Sequence, residues 1–180
     1  MKMLKKLLAV VLTGAMALTL LTACGGNAVT EKSIAGALND MAKAQGVKAT
    51  FTPRPKEREL ARKIAELIEK ESATATAADG KDSSNNAAEE ELKRILGINE
   101  GGPNEENFVW CGVTYTDGFG VSGQAIQFMT QVFDGALNID KLKGKKPADT
   151  RYMGTALYKT VDKNGKQVTK RIIVVTAEAK

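Results

Sequence analysis

The hydrophobic pattern of the chain begins with a block rather than a period. Leu7 to Leu21 is fifteen residues without a charge, mostly Leu, Val and Ala, and it follows a positive cluster of Lys2, Lys5 and Lys6. A charged start and an apolar core of this length make a secretory signal. A spanning helix needs roughly 20 apolar residues to cross a hydrocarbon core of about 30 Å. Beyond residue 32 the pattern becomes periodic. Ile34, Ala37, Leu38 and Met41 recur at helical spacing, which predicts a helix over 34–45 with Ser33 as its cap and Gly46 as its stop. Val47 to Phe51 is extended, and Pro53 and Pro55 postpone the next helix to Lys56. That second helix, predicted over 56–72, sets Leu60, Ile64, Leu67 and Ile68 on one face with Ala61 and Ala65 alongside. Glu57, Lys63, Glu66, Glu69 and Lys70 make up its other face, which reads as solvated surface.

Residues 74–88 are Ala, Thr, Ser, Asn and Asp with a turn at Asp79-Gly80, and they are expected to form a loop. A third helix is predicted over 87–96, closed by Gly97, before Gly101-Gly102-Pro103 breaks the chain again. Phe108 to Thr116 alternates aromatic and β-branched residues with small ones, a strand that Asp117-Gly118 turns. Ile126, Met129 and Val132 or Phe133 predict a fourth helix over 124–133. Lys141 to Lys146 is a basic loop with a solvated role. Tyr152 to Val161 and Gln167 to Ala177 flank a turn centred on Asn164-Gly165, the signature of a hairpin. Ile172 to Val175 is an unbroken apolar run, as in a strand covered on both faces. Helices crowd the first half and strands the second, which predicts an α+β domain with helices packed on a central antiparallel sheet.

The residues after the apolar block change the picture of where the chain resides. Leu21-Thr22-Ala23-Cys24-Gly25 resembles the lipobox of bacterial lipoproteins, with Leu at −3, small residues before the cut and Cys at +1. The resemblance implies cleavage before Cys24 and a diacylglyceryl group on its thiol. Several acyl chains, at about 0.8 kcal/mol per buried CH₂, anchor a protein stably where one does not. The expected organisation is a signal over 1–23, a lipidated tether over 24–32 and a single domain over 33–180, facing outward from the membrane. Without residues 1–23 the chain has 157 residues and carries 23 Lys and Arg against 21 Asp and Glu, a net charge of +2 rather than +5. Basicity therefore gives no support to nucleic acid as a partner. With Cys24 used for lipid, Cys111 stands alone and no intrachain disulfide can form, which suits a Gram-positive or anaerobic host.

The chain contains no histidine. Ser–His–Asp and Cys–His nucleophiles need an imidazole, and zinc sites need His or several Cys. No catalytic residue, metal ligand or cofactor is assigned, and Cys111 reads as a small buried hydrophobe. Carboxylate catalysis stays formally open, with Glu69 and Glu71 at the end of the second helix as its example.

Ile34, Leu38, Asn39, Lys43 and Gly46, followed by Ala61 and Ala65 four residues apart in the second helix, resemble the opening of the CAP superfamily. These are the cysteine-rich-secretory-protein-like domains of bacterial surfaces. Tyr152 to Leu157, with Gly154 in the strand before the turn, and then Ile172 to Val175, resemble that family's final hairpin. The resemblance implies an α-β-α sandwich. It also implies a groove with two histidines and two acidic residues that bind a divalent metal, and here the chain departs. Ala75 to Ala78 stands where the first His would precede Asp79-Gly80, Trp110-Cys111-Gly112 stands near the expected Gly-Glu-Asn, and Phe128 to Leu137 lacks the later His. The expected function is then a non-enzymatic binding or structural role at the cell envelope, toward a peptide, glycan or apolar ligand. The alternative is an envelope hydrolase using carboxylates. Trp110 and Tyr115, on or near the strand bordering such a groove, are the candidate ligand contacts.

Overall fold

The computed structural model describes residues 29–75, 84–97, 107–133, 144–162 and 164–180. The signal over 1–23, Cys24, the tether up to residue 28, the Asp79-Gly80 turn, the Gly101-Gly102-Pro103 break and residues 141–143 of the basic loop lie outside the described residues. In chain order the elements are α1 (Glu31–Ala44), β1 (Thr50–Pro53), α2 (Pro55–Ala75), α3 (Ser84–Leu96), β2 (Asn107–Tyr115), α4 (Val121–Phe133), β3 (Thr150–Val161) and β4 (Gln167–Glu178). The class is mixed α+β, with the helices mainly in the first half and a C-terminal strand pair.

Helix starts differ from the expected ones for local reasons. Thr30, not Ser33, caps α1. Thr30 Oγ1 accepts the Ser33 N–H at 3.1 Å while Ser33 Oγ accepts the Thr30 N–H at 2.9 Å, a capping box with Ser at the third helical position. Residues 31 and 32, expected in the tether, are thus helical. Pro55 opens α2, where its fixed φ suits the first helical position. The expected 74–88 loop is shortened from both sides, because α2 continues to Ala75 and α3 begins at Ser84. Adding a residue to a formed helix costs little compared with nucleating one.

The sheet order is β1-β3-β4-β2. β3 and β4 pair antiparallel from Val161 opposite Gln167 to Tyr152 opposite Thr176, and β2 lies antiparallel along β4. β1 joins β3 in parallel, so the sheet is mixed rather than wholly antiparallel. The long connection from β1 to β3 allows this, since a parallel pair needs a crossover rather than a tight turn. Ile173 and Val175 pack with α1 and α4 on one face, while Ile172 and Val174 pack with α2 and α3 on the other. That double burial is why the β4 run is continuously apolar. α2 presses on β3 at Gly154, where a Cβ would lie 1.9 Å from the Arg58 nitrogen and 2.1 Å from the Glu57 carbonyl carbon.

Candidate functional site

The densest polar arrangement on the α1/α4 side of the sheet is built around Arg171. Its Nε donates to Gln124 Oε1 at 3.0 Å, Nη1 to Thr155 Oγ1 at 3.1 Å and Nη2 to the Val29 carbonyl at 2.9 Å. Gln124 Nε2 in turn donates to the Phe119 carbonyl at 2.9 Å. Glu31 accepts the Thr155 N–H at 2.8 Å and pairs with Arg58 Nη2 at 2.7 Å. One guanidinium thus ties β3, β4, α4 and the entry of the chain into α1. Its planar fork of donors can serve three acceptors in fixed directions, which an ammonium cannot. Burial pushes the Arg171 pKa down, and the charge of Glu31 opposes that shift.

Beyond Arg171 the same sheet face carries Leu157, directly opposite Arg171, and then Val161. Both side chains are about half exposed, as are Tyr115 and Phe119 at the same end. Lys170 Nζ lies 4.8 Å from the Tyr115 ring centroid.

The two aromatic residues singled out from the sequence are not brought together. They are five positions apart on β2, and the strand period of two sends them to opposite faces. Trp110 is 4 % exposed in the α1/α4 core, stacked on Phe108 with centroids 5.7 Å apart. Tyr115 is 52 % exposed. Trp110 also backs Arg151, whose Cζ lies 5.1 Å from its ring centroid and 5.5 Å from that of Phe51. The Arg151 Nε is buried with no hydrogen-bond partner among the described residues.

Glu57 is the residue that sequence reasoning misplaced. Expected on the solvated face of α2, it is fully buried, because α2 approaches β3 so closely at Gly154 that its first turn lies against the sheet. Arg54 Nε donates to Glu57 Oε2 at 2.5 Å, Arg54 Nη2 reaches Oε1, and Thr176 Oγ1 donates to Oε1 at 2.7 Å. The Arg54 Cζ stands 3.7 Å from the Tyr152 ring centroid. Burial alone would push the Glu57 carboxyl up; the bonds from Arg54 and Thr176 outweigh it and hold the pKa below its ordinary value. The only sequence signal was an Arg three residues before a first-turn Glu, flanking Pro55.

The carboxylates offered for catalysis have ordinary tasks or surroundings. Glu69 Oε1 accepts the Lys159 N–H at 2.8 Å, and Glu71 is half-buried near the end of α2. Where carboxyl pKa values shift among the described residues, at Glu57, Glu89 and Glu91, they shift down. A general acid needs the opposite shift. A shallow groove of about 480 Å³ between α2 and α3 is lined by Lys63, Glu66, Leu67, Lys70, Glu91 and Arg94, with Glu91 and Arg94 paired to each other at 2.5 Å. Cys111 faces the α2/α3 layer, and burial pushes its thiol up to about 12. No group of three metal-ligating side chains occurs among the described residues. The chain matches no known family model, no characterised protein and no solved structure.

Proposed function

We propose that this is a membrane-anchored, outward-facing bacterial lipoprotein whose CAP-like domain serves a non-enzymatic binding or structural role at the cell envelope. The observation that carries the reading is the lipobox-like Leu21-Thr22-Ala23-Cys24 behind an uncharged apolar block, five residues before Val29 enters the fold. What supports a CAP-like scaffold is that the residues behind the resemblance perform packing tasks. Asn39 binds the backbone of Phe51, Gly46 takes a φ of 67°, Ala61 and Ala65 lie on the buried face of α2, and Gly154 admits α2 onto β3. The missing histidines and the downward carboxylate shifts favour binding over hydrolysis.

The test is metabolic labelling with a fatty acid together with membrane fractionation. The native chain incorporates label and sediments with membranes, whereas Cys24→Ser does neither. An unlabelled native chain, or a Cys24→Ser chain that stays with the membranes, sinks the reading.

A further inference from the structure

We propose that Arg151 is the binding site for a ligand carboxylate, at the end of the sheet where β1 and β3 begin. The inference deepens the binding role proposed above by naming the chemistry it takes; it rests on that role and not on the anchor at Cys24.

The chain has six arginines, all of them described, and the fold finds an acceptor for five. Arg54, Arg58, Arg62 and Arg94 each bond a carboxylate, and Arg171 bonds three neutral oxygens. Arg151 bonds nothing among the described residues. Of its nitrogens only Nε is fully buried without a partner, so the two terminal nitrogens stay open to solvent. Asp149 acts on it through space from an exposed position and makes no ion pair with it, while burial disfavours its charge.

The aromatic neighbours meet only part of this need. Their faces attract the cation, with Cζ 5.1 Å from the Trp110 centroid and 5.5 Å from that of Phe51, but a ring face accepts no N–H lying in the guanidinium plane. The strand register builds the placement. Arg151 lies directly beside Phe51 in the β1–β3 pairing. On its other side β4 presents Ala177, itself opposite Phe108, and that single methyl lets the long side chain reach across β4 toward Trp110.

The chemistry of the site selects a carboxylate. Two carboxylate oxygens match the two terminal nitrogens of one guanidinium in a fork, and they supply the counter-charge that the fold leaves out. A phosphate dianion fits less well. α1 runs from Glu31, bonded to the Thr155 N–H, to Ala44 just before Thr50 pairs with Thr150, so its C-terminal carbonyls lie at this end and repel added negative charge. Lys43, Lys48 and Lys146 are exposed here, where solvent screens them, and the site does not depend on them. Val47, 41 % exposed, is the large apolar side chain left open at this end, and it offers a surface to an apolar group carried with the carboxylate. A peptide C-terminus and a sugar acid both present such a carboxylate.

Trp110 is the chain's only tryptophan and reports on the site directly. The full chain in nonionic detergent is titrated at constant ionic strength and neutral pH with N-acetylleucine, N-acetylleucinamide, glucuronate and inorganic phosphate, and Trp110 emission is read. The expected result is a saturable change with a carboxylate, roughly tenfold or more weaker with the amide and lost in Arg151→Gln. Arg151→Lys keeps the charge without the fork and should also bind roughly tenfold more weakly. Tighter binding of N-acetylleucine supports the site with a peptide terminus as its ligand, and tighter binding of glucuronate supports it with a sugar acid. Equal responses to acid and amide, equal responses to carboxylate and phosphate, or no response to either carboxylate overturn the site. The acid–amide comparison is made on the native protein, so a variant that folds poorly does not spoil it. An unresponsive protein loses this site alone, with the lipid labelling of Cys24 untouched. Hydrolysis of N-acetylleucinamide to the acid and ammonia, followed in the same samples, would overturn the non-enzymatic role and the site with it.

Discussion

Asn39 on α1 holds the backbone of Phe51 in β1 with both ends of its carboxamide: Oδ1 accepts the Phe51 N–H at 2.6 Å and Nδ2 donates to the Phe51 carbonyl at 3.1 Å. The opposite edge of the sheet repeats the device. Gln131 on α4 accepts the Val113 N–H at 2.9 Å and donates to the Val113 carbonyl, and Gln127 accepts the Tyr115 N–H at 2.8 Å. β1 and β2 are the two edge strands, and an open edge is a template for pairing with another chain. Each carboxamide stands in for a neighbouring strand. Pairing of another strand at these edge positions is blocked.

Removing either carboxamide strands a backbone donor and acceptor in a partly buried position. Asn39→Ala is expected to lower the unfolding free energy by about 2 kcal/mol, and Asn39→Asp, which keeps the acceptor, by about 1 kcal/mol. The Asn39→Ala and Gln131→Ala costs should add, because the two edges share no partners. Denaturant titrations of the single and double variants check this. A loss under about 0.3 kcal/mol in both singles would mean water replaces the amides freely.

Such pairings show what the sequence displays and what it hides. The apolar periods of α1 and α2, the Asn164-Gly165 turn and the Ile172 to Val175 run announce their elements because each signal is local. Asn39 stands among the residues of the CAP-like resemblance, yet nothing local names its partner, which lies 12 residues away, and Gln131 bonds a backbone 18 residues away. Nothing along α4 marks Gln131 as different from a solvated glutamine. Glu57 was hidden for the same reason, since its burial depends on Gly154 nearly a hundred positions later admitting the helix. The parallel pairing of β1 was hidden too, because four residues carry no sign of which strand they will meet or in which direction.

The Glu57–Arg54–Thr176 cluster makes stability depend on acid. The folded pKa of Glu57 lies below its ordinary value of 4.5, so the native state favours the carboxylate over the acid. That contribution is fully present above the unfolded pKa and is lost as pH falls through the folded one. Glu57→Gln keeps the volume but strands Arg54, and at neutral pH it should cost about 3 kcal/mol. The gap between native and variant stability should then narrow steadily below pH 4.5. A gap independent of pH from 7 down to 3 would show that the Glu57 charge contributes nothing to folding.

Two glycines give opposite expectations for the same substitution. Gly154→Ala places a methyl inside the backbone of α2, at 1.9 Å from the Arg58 nitrogen, and helix and strand must part to admit it. Overpacking against backbone should cost at least about 3 kcal/mol. Gly36 lies within α1, and a Cβ there meets nothing within 4 Å. Gly36→Ala should stabilise by about 0.5 to 1 kcal/mol through helix propensity and a less flexible unfolded chain. Thermal melts of the two variants should move in opposite directions, and a tolerated Gly154→Ala would contradict the close crossing of α2 over β3.

Cys111 offers a check on the layer between β2 and α2. Its side chain points with Val109 and Val113 toward the α2/α3 face, and burial raises the thiol pKa to about 12. The attacking species in thiol chemistry is the thiolate, so reactivity follows the fraction ionised as well as access. In Cys24→Ser, Cys111 is the sole thiol of the chain. Against an exposed cysteine of pKa about 8.5, a thiol of about 12 is ionised roughly 10³-fold less at pH 8. A disulfide reagent should therefore leave the folded variant unmodified for hours and react at once in denaturant. The rate in the folded state then measures how often α2 and α3 lift from the sheet, because only an open molecule ionises this thiol normally. Prompt reaction without denaturant would mean that the layer does not cover β2.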